Sequence, residues 1–547
     1  MPESPLVIEN LSFQYRTRSE PAIQNISFEL KPGEMLLIAG SSGCGKTTLA
    51  RCINGLIPRS YRGKREGRVL LHGKDVAEMQ IADMAQIVGT LLQDPERQIV
   101  ASNVYNEIAF GPENLGLPRA EVVARVEQAL TRLKIEHLRD RETFNLSGGE
   151  KQKVALAGLL AMNPSILLLD EPLASLDPAS AYEALEAFRS LADEGKTVIL
   201  VEHRVEDAIT ARPDRLLYME AGQVKYLGPI DDLPTEINHR EVKLPAEWVV
   251  KRVQQMGERI DKPEFSSTPT QGDPLVVFEN VDFRYSDETP LVLQDVNLTI
   301  RHGDLIAVLG PNGSGKSTLV KHAIGLLKPT AGRVLVDGKD TRRMSVAQIA
   351  RVLGFVFQSP THMLYAPTVR EELEFGPKNL DFKKDVMDQA VAESLSIVNL
   401  NGLEEYPPLG LSFGQQKRTT IAAVLAMQSQ IMIMDEPTAG QDYANYTHFM
   451  DEMCRPDLDG SQSLVAANFA ATLFITHDLD LAITYANRVL LVGDRHIVAD
   501  GRPEEVLRDF DLLMRYRVRP TSLLRLNLDL LPQTRRFLPA EELAAYA

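Results

Sequence analysis

The sequence is poor in cysteine and lacks any long apolar run. Its three cysteines, Cys44, Cys52 and Cys454, match no zinc, iron–sulfur or disulfide spacing, so we expect reduced thiols. The best candidate for a membrane span, from Ser463 to Ile475, is short and contains Asn468. We therefore expect that the chain does not cross a membrane by itself. The first residues lack a basic region followed by an apolar stretch, so no secretory signal is predicted.

An excess of positive charge is also missing. The net charge of -16 opposes sequence-independent binding to phosphate backbones, so nucleic acid is not an expected partner. The 44% apolar and 24% charged residues are typical of a globular protein. A chain of 547 residues is too long for one hydrophobic core, which predicts two large domains.

A long internal repeat organises the chain. Segments of the two halves correspond in the same order: FGPENLGLP with FGPKNLDF, NLSGGEKQK with GLSFGQQKR, ILLLDEP with IMIMDEP, and VILVEHRVEDA with LFITHDLDLA. The repeat predicts one domain over residues 1–230 and a second over 274–510. Residues 231–273 are rich in Pro, Glu and Ser, which indicates a linker with a short helix, long enough to let the halves pair. Residues 511–547 form a C-terminal tail.

Each half contains the phosphate-loop pattern Gly-x-x-x-x-Gly-Lys-Ser/Thr between an apolar strand and an amphipathic helix. In such a loop, backbone N–H groups converge on phosphate oxygens while Lys46 or Lys316 neutralises the β- and γ-phosphates. Thr47 or Ser317 would ligate magnesium. Cys44 would contribute its backbone and not its thiol. The predicted nucleotide-binding residues of the loops are Gly40, Ser41, Ser42, Gly43, Cys44, Gly45, Lys46, Thr47 and Thr48, and Gly310, Pro311, Asn312, Gly313, Ser314, Gly315, Lys316, Ser317 and Thr318.

Two apolar runs, ILLLDE and IMIMDE, end in a pair of acids. As buried strands they place Asp170 and Asp435 at strand ends near the metal. The following residues, Glu171 and Glu436, would polarise the attacking water, since phosphoryl transfer depends mainly on positioning and electrostatic stabilisation.

His203 and His477 each follow a β-rich run, TVILVEH or LFITH, and would contact the γ-phosphate and the water. Either histidine alone would favour a structural role, but the repeated placement indicates function. Gln93 and Gln358 each end an apolar strand and would join magnesium to a mobile neighbouring segment. The residues predicted to stack on adenine are Tyr15 and Tyr285.

These motifs together resemble the ATP-binding-cassette (ABC) superfamily, whose further hallmark, LSGGQ, reads LSGGE over 146–150 and LSFGQ over 411–415. The resemblance covers nearly the whole chain apart from the linker and the tail. It implies an ATP hydrolase that uses Mg²⁺. The implied fold class is α/β: two tandem P-loop domains, each with a mainly parallel sheet core, an antiparallel β subdomain and a helical subdomain.

In that family two cassettes close head to tail on ATP, and each signature completes the nucleotide site of the opposite half. The resemblance thus implies two composite sites. Site one would combine Lys46, Thr47, Gln93, Asp170, Glu171 and His203 with Ser412 and Gly414. Site two would combine Lys316, Ser317, Gln358, Asp435, Glu436 and His477 with Ser147 and Gly149. The second signature has Phe413 where glycine is usual, so we expect weakened activity at site one.

Within the superfamily, the segments PERQIVASNVYNEIAFGPENLGLP and GLIPRSYRG look like ATPases of energy-coupling-factor (ECF) importers of vitamins, their precursors or transition-metal ions. The implied partners are a transmembrane scaffold subunit and a small substrate-binding membrane subunit. The implied location is the cytoplasmic face of the cell membrane, held there only through those partners. Glu96 and Gln98 resemble the part that grips the scaffold's coupling helices, although the second half reads SPTHMLYAP there and lacks the acid.

Three alternatives remain. The tandem ATPase of a sugar or peptide importer would share every catalytic motif. A soluble cassette factor acting on ribosomes or DNA is disfavoured by the net acidic charge and by a linker that proline interrupts. A module that senses ATP without hydrolysis is disfavoured because both glutamates and both histidines are present. The sequence does not name the transported substrate.

Overall fold

The computed structural model describes residues 4–92, 95–173, 176, 178–232, 237–257, 272–438, 441–455 and 463–547. The chain divides into two compact units: unit 1, of Met1–Pro245 with Asp442–Ala444, and unit 2, of Ala246–Gln441 with Asn445–Ala547. The boundary after Pro245 falls inside the segment predicted as a linker. In the described part of the chain, no helix is long and apolar enough to span a membrane.

Unit 1 contains two sheets. An antiparallel sheet has the strand order β2-β1-β4-β5, and a six-stranded sheet has the order β10-β9-β3-β8-β7-β6, parallel except for β10. The strands are β1 Leu6–Tyr15, β2 Ile23–Leu30, β3 Met35–Gly40, β4 Gly63–Leu71, β5 Lys74–Asp75, β6 Val88–Leu91, β7 Ile166–Asp170, β8 Thr197–Val201, β9 Arg215–Glu220 and β10 Gln223–Gly228.

The helices of unit 1 flank the sheets and form a separate helical subdomain from α4, α5 and α6, whose buried core includes Ile108, Val126 and Val154. They are α1 Lys46–Ile53, α2 Leu56–Arg59, α3 Ile81–Ile87, α4 Val104–Asn114, α5 Arg119–Arg132, α6 Gly148–Met162, α7 Pro178–Asp193 and α8 Val205–Ile209, with 3₁₀ turns at Pro95–Arg97, Glu136–Leu138, Thr143–Asn145 and Ile230–Asp232.

Unit 2 repeats this strand order. Its antiparallel sheet runs β12-β11-β14-β15 and its six-stranded sheet β16-β17-β18-β13-β19-β20, which confirms the predicted fold class of two tandem α/β domains. The strands are β11 Pro274–Phe283, β12 Leu293–Arg301, β13 Leu305–Leu309, β14 Ala331–Val336, β15 Lys339–Asp340, β16 Leu353–Val356, β17 Ile431–Asp435, β18 Ala471–Ile475, β19 Arg488–Gly493 and β20 His496–Gly501.

The helices of unit 2 include a matching helical subdomain of α12, α13 and α14. The helices are α9 Ala246–Met256, α10 Lys316–Ala323, α11 Val346–Ala350, α12 Val369–Asn379, α13 Lys384–Ile397, α14 Phe413–Ala426, α15 Tyr443–Cys454, α16 Leu464–Asn468, α17 Leu479–Tyr485, α18 Pro503–Val506, α19 Phe510–Arg515, α20 Ser522–Thr534 and α21 Ala540–Leu543, with 3₁₀ turns at Thr341–Arg343, Pro360–His362 and Pro408–Gly410.

Burial explains why these segments form strands of different kinds. All residues of β3 and β8 are buried, as expected for central parallel strands covered on both faces. In β2, buried and exposed residues mostly alternate, which is typical of a sheet with one wet face. Because β3, β7 and β8 are parallel neighbours, their carboxyl ends meet at one edge of the sheet, as do those of β13, β17 and β18.

The short helix predicted in the linker is α9, and it packs against the C-terminal helices α20 and α21 of unit 2. Ser522 Oγ accepts a hydrogen bond of 2.8 Å from the backbone N–H of Ala246, and Gln254 donates to the carbonyl of Ala544. Inside this bundle, the buried Asn527 side chain is bonded in both directions to the backbone of Leu538. The segment described from sequence as a tail is therefore folded into unit 2.

Candidate functional site

Both phosphate loops depend on glycine. A Cβ atom on Gly40 would lie 2.2 Å from the carbonyl oxygen of Met219, and one on Gly310 would lie 2.1 Å from that of Val492. Gly45 and Gly315, which precede helices α1 and α10, have φ angles of 109° and 103°. Side chains rarely adopt such angles, so the sequence pattern reflects a backbone that only glycine can form without strain.

The loop lysines are turned into their own loops. Lys46 Nζ donates to the carbonyls of Gly40 and Ser41 at 2.7 and 2.8 Å, and Lys316 Nζ donates to Gly310 and Pro311 at 2.8 and 3.0 Å. Both lysines are buried, whereas Thr47 and Ser317 are exposed at the second position of their helices. Each loop therefore presents a cation and a hydroxyl at one helix start.

The thiol of Cys44 lies 3.9 Å from Lys46 Nζ, inside the first loop. Burial raises the pKa of this thiol against the opposing effect of Lys46, so the protonated form is favoured. The thiol is therefore held toward its less nucleophilic, protonated form.

The two tyrosines predicted to stack on adenine lie beside the phosphate loops. The hydroxyl of Tyr15 is 3.2 Å from Thr48 Oγ1, and that of Tyr285 is 3.1 Å from Thr318 Oγ1. Arg51 also donates to the Tyr15 hydroxyl at 3.1 Å. The ring of Tyr285 is 58% exposed, so an aromatic face is accessible next to the second loop.

The strand-end aspartates belong electrostatically to the same site. Burial and the neighbouring Glu171 carboxylate raise the pKa of Asp170 to about 6, while Lys46 opposes the shift. Burial and Glu436 likewise raise the pKa of Asp435. Each carboxylate therefore stands in a setting where a nearby cation would favour its charged form.

The described donors fit magnesium. A carboxylate such as Asp170 and a hydroxyl such as that of Thr47 supply the hard oxygen ligands that Mg²⁺ prefers, and it completes its shell with water and phosphate oxygens. Among the described residues, no cluster of three or more His, Cys, Asp or Glu side chains could hold a metal ion. A cation here would thus depend on the bound nucleotide for its remaining ligands.

Glu171 and Glu436 have the left-handed backbone conformation, with φ angles of 48° and 45°. This conformation is uncommon outside glycine and concentrates at functional positions. In both units the strained residue is held by its N–H, which donates to Val201 at 2.9 Å or to Ile475 at 3.0 Å. The same unusual conformation and the same backbone hydrogen bond therefore recur at one position of both units.

The catalytic candidates meet in pairs. His203 Nδ1 lies 3.9 Å from Glu171 Oε1, and His477 Nδ1 lies 3.0 Å from Glu436 Oε1. Burial favours the protonated form of Glu171, but His203, Lys46 and Arg204 outweigh it and hold the pKa below its usual value. A carboxylate base beside an imidazole can orient and polarise a water molecule.

The predicted glutamines have different outcomes. Gln358 follows β16 and is exposed, whereas Gln93 lies outside the described residues. Sequence reasoning missed Lys417 of helix α14, whose Nζ donates to the carbonyls of Phe357 and Gln358, each at 3.2 Å. Burial lowers the pKa of Lys417 to about 8, while Asp435 and Glu436 favour its charged form. No motif marks this lysine, because its contact joins residues distant in sequence.

Ser147 and Ser412 are the N-cap residues of helices α6 and α14. Each side chain accepts from the backbone N–H three residues later, at 3.3 Å, in a capping box with Glu150 or Gln415. Both serines, Gly414 and the adjoining Phe413 are exposed, and Gly149 is partly exposed. The described hydrogen bonds of the signature serines are thus made within their own helices, with exposed helix starts around them.

Two buried glutamates escaped the sequence reasoning although the repeat contains them. Glu107 accepts from the N–H groups of Val100 and Ala101, at 2.9 and 2.7 Å. Glu372 does the same for Tyr365 and Ala366, at 2.9 and 2.8 Å. The available signal was their matched position, three residues before the FGPEN and FGPKN segments of the repeat. Each fixes the loop that follows the predicted glutamine.

The residues predicted to grip a partner differ in exposure and contacts. Glu96 is largely exposed and forms an ion pair with Lys151 of helix α6, which holds the pKa of Glu96 below its usual value. Gln98 turns inward, where its Oε1 accepts from the N–H of Leu92 at 3.0 Å. Gln98 therefore braces the loop after β6, and Glu96 is the more accessible of the two.

Comparisons with known proteins identify the family of the chain. The family model described as ABC transporter matches residues 23–174 and 293–439. An ABC transporter ATP-binding protein of Caldanaerobacter subterraneus subsp. tengcongensis is 34% identical over 99% of both chains. One of Methanosarcina acetivorans is 36% identical over 96% of this chain and 91% of its own. The solved structure of CbiO1 from Clostridium perfringens, described as part of the ABC transporter complex CbiONQ, is 30% identical over 48% of this chain and 98% of its own, with a TM-score of 0.39.

Proposed function

The chain belongs to the ATP-binding proteins of ABC transporters and is an ATP hydrolase, and from this premise we propose that it energises an ECF-type importer of a small nutrient. The nutrient class is a vitamin, a vitamin precursor or a metal ion. The ECF assignment is supported by the segments around GLIPRSYRG and FGPENLGLP. The observation that carries a membrane partner is a matched pair of exposed apolar patches, one on each unit.

The patches consist of Val100 with Phe110 on unit 1 and Tyr365 with Phe375 on unit 2. These side chains are 65%, 51%, 60% and 51% exposed. The rings of Tyr365 and Phe375 meet edge to face at 4.9 Å. Large aromatic side chains that stay exposed next to a rigidly held loop are typical of a docking surface. We assign both patches to the coupling helices of the transmembrane scaffold, which would carry the small substrate-binding subunit.

Each nucleotide site has a defined division of labour. The loop amides and Lys46 or Lys316 bind the phosphates, and Tyr15 or Tyr285 covers the base. Magnesium, held by Thr47 and Asp170 or by Ser317 and Asp435, with Gln93 or Gln358 in reach, would neutralise phosphate charge when bound.

The hydrolytic step depends on the glutamate and histidine pairs. Glu171 or Glu436 accepts a hydrogen bond from the attacking water and directs its lone pair toward the γ-phosphate. His203 or His477 fixes that water and the phosphate oxygen in line. The exposed helix starts at Ser147 and Ser412 supply N–H donors for the γ-phosphate bound by the opposite half, so that ATP closes two composite sites and hydrolysis releases them.

Membrane recruitment tests this function. The full chain is co-expressed with candidate scaffold and substrate-binding subunits, and membranes are washed with salt before the ATPase is quantified. Phe110→Glu combined with Phe375→Glu is expected to lower retention at least about tenfold, since it buries two charges in an apolar contact.

Met514→Glu is the matched control, because Met514 is 54% exposed on helix α19, outside both patches. Retention of the control, together with unchanged ATP binding by the double variant, is the expected pattern. Equal retention of both variants, or recovery of the chain with ribosomes in place of membranes, contradicts the proposal.

A further inference from the structure

Lys417 is one of the most deeply buried cations of unit 2. It lies on helix α14, five residues after Ser412, and is 1% exposed. Lysine is almost never fully buried unless its ammonium group is paired. Here Nζ donates to two consecutive carbonyls, those of Phe357 and Gln358, each at 3.2 Å. The burial therefore serves a specific contact with the segment that follows strand β16.

The contact spans two elements that the sequence keeps far apart. Phe357 and Gln358 leave the sheet edge beside Asp435, because β16 pairs with β17 in parallel. Helix α14 begins at the exposed signature position Ser412. An α-helix rises about 1.5 Å per residue and moves nearly as a rigid body, so a displacement of its start also displaces residues further along its axis. Lys417 thus joins the backbone at Gln358 to the body of the signature helix, over a span of one to two turns.

Unit 1 has a neutral residue at the aligned position. The residue at the corresponding position of helix α6 is Gln152, which is neutral and 3% exposed. Neither polar atom of the Gln152 side chain has a hydrogen-bond partner among the described residues. The two halves therefore differ at a position that is buried in both, and the difference is one full charge.

We propose that Lys417 is a positioning residue of the second nucleotide site, which holds the backbone of Phe357 and Gln358 on helix α14 so that the Gln358 side chain is presented to Mg²⁺–nucleotide. The inference rests on the proposed function, in which Gln358 reaches the metal. Lys417 acts through Gln358 and touches neither nucleotide nor metal. It also makes the orientation of Gln358 dependent on the position of the signature helix.

Two measurements on the full chain test this role. The first is hydrogen exchange of peptides covering residues 353–364 in nucleotide-free protein, where Lys417→Gln is expected to exchange about tenfold faster because the segment loses its anchor. The second is binding of a fluorescent ATP analogue titrated with Mg²⁺. Half-saturation is expected to need about fivefold more Mg²⁺ in Lys417→Gln, with binding restored at high Mg²⁺.

Two control variants make the result interpretable. Lys417→Arg keeps the charge and donors, so exchange and Mg²⁺ dependence are expected to stay within about twofold of wild type. Arg418→Gln removes a charge from the same helix, where Arg418 pairs with Glu452 at 3.0 Å, and is expected to leave the segment unchanged. The test variant Lys417→Gln introduces the residue type that unit 1 has at this position. The thermal unfolding midpoint of each variant reports whether it folds.

Unchanged exchange of residues 353–364 in a folded Lys417→Gln variant overturns the proposal that Lys417 anchors this segment. Faster exchange without a shift in Mg²⁺ dependence overturns the link to the metal. Failure of the proposed function looks different, because it would appear as unchanged membrane retention of the Phe110→Glu, Phe375→Glu variant while both measurements on Lys417→Gln stay interpretable.

Discussion

The two halves of the chain share strand order, loop glycines and the left-handed glutamates, yet they hold their proposed catalytic pairs differently. Glu436 and His477 approach to 3.0 Å in unit 2, whereas Glu171 and His203 are 3.9 Å apart in unit 1. The Glu436 side chain is 10% exposed and that of Glu171 is 22% exposed. Duplication has thus preserved the backbone that carries the site while the packing around the reacting groups has diverged.

The signatures also differ, and here it is unit 2 that departs from the usual pattern. Unit 1 starts helix α6 with Gly148, and unit 2 starts helix α14 with Phe413, which is 38% exposed. Under the proposed head-to-tail pairing, the closer catalytic pair of unit 2 would receive the unmodified signature of unit 1. The wider pair of unit 1 would receive the signature that carries Phe413. Both differences therefore favour hydrolysis at site two.

Removing the catalytic carboxylates one at a time should give the largest effect. Glu436→Gln is expected to lower steady-state ATP turnover at least about tenfold, and Glu171→Gln only about two- to threefold, because we expect site two to carry most of the hydrolysis. Phosphate release from purified protein measures both. Nucleotide binding by each variant serves as the control, and equal losses would remove the asymmetry.

Exchanging the signature residues should produce an intermediate effect. In a Glu436→Gln background, where site one performs the remaining hydrolysis, Phe413→Gly is expected to raise turnover about two- to threefold, since glycine lets the helix-start amides approach phosphate. The reciprocal Gly148→Phe in a Glu171→Gln background should lower it. No response to either exchange would show that position 413 does not limit site one.

The smallest expected effect concerns stability and pH. Glu202 in unit 1 is fully buried next to His203, and its counterpart in unit 2 is Thr476. Burial raises the pKa of Glu202 above its ordinary value despite the opposing charges of His203 and Arg204. A raised carboxyl pKa favours folding at low pH, and this contribution is lost as pH rises through the folded-state pKa.

Glu202→Gln removes this titration and keeps the oxygen that accepts from Leu173. We expect the first thermal unfolding midpoint to rise by about 2 °C at pH 8 and to change less at pH 5. The exposed Glu220→Gln is the control and should leave both midpoints unchanged. A larger gain at pH 5 than at pH 8 would contradict the assignment.

The sequence predicted those parts of the site in which local pattern and chemistry coincide. The phosphate loops need positive φ angles at positions where their motif specifies glycine. The strand-end acids follow apolar runs that only a buried strand explains. The repeat then made the single histidines interpretable. The fold class, the family and the ATP hydrolase activity are confirmed, while the roles of individual site residues stay predictions.

What the sequence did not reveal depends on contacts between distant segments. Lys417 reads as one more polar residue of an amphipathic helix, and only the fold places it under the carbonyls of Phe357 and Gln358. Glu107 and Glu372 look like surface residues until the loops they hold are seen. The packing of the tail was not predicted, because its partner, helix α9, precedes it by more than 250 residues.

The docking of α9 onto α20 and α21 has a consequence for dividing the molecule. Helix α9 precedes the first strand of the second half and packs against helices that follow its last strand. The second half therefore starts near residue 246 and not at strand β11. A fragment beginning at residue 274 would lose α9 and its packing against helices α20 and α21. Independent folding of the second half therefore requires the piece of chain that sequence pattern assigns to neither half.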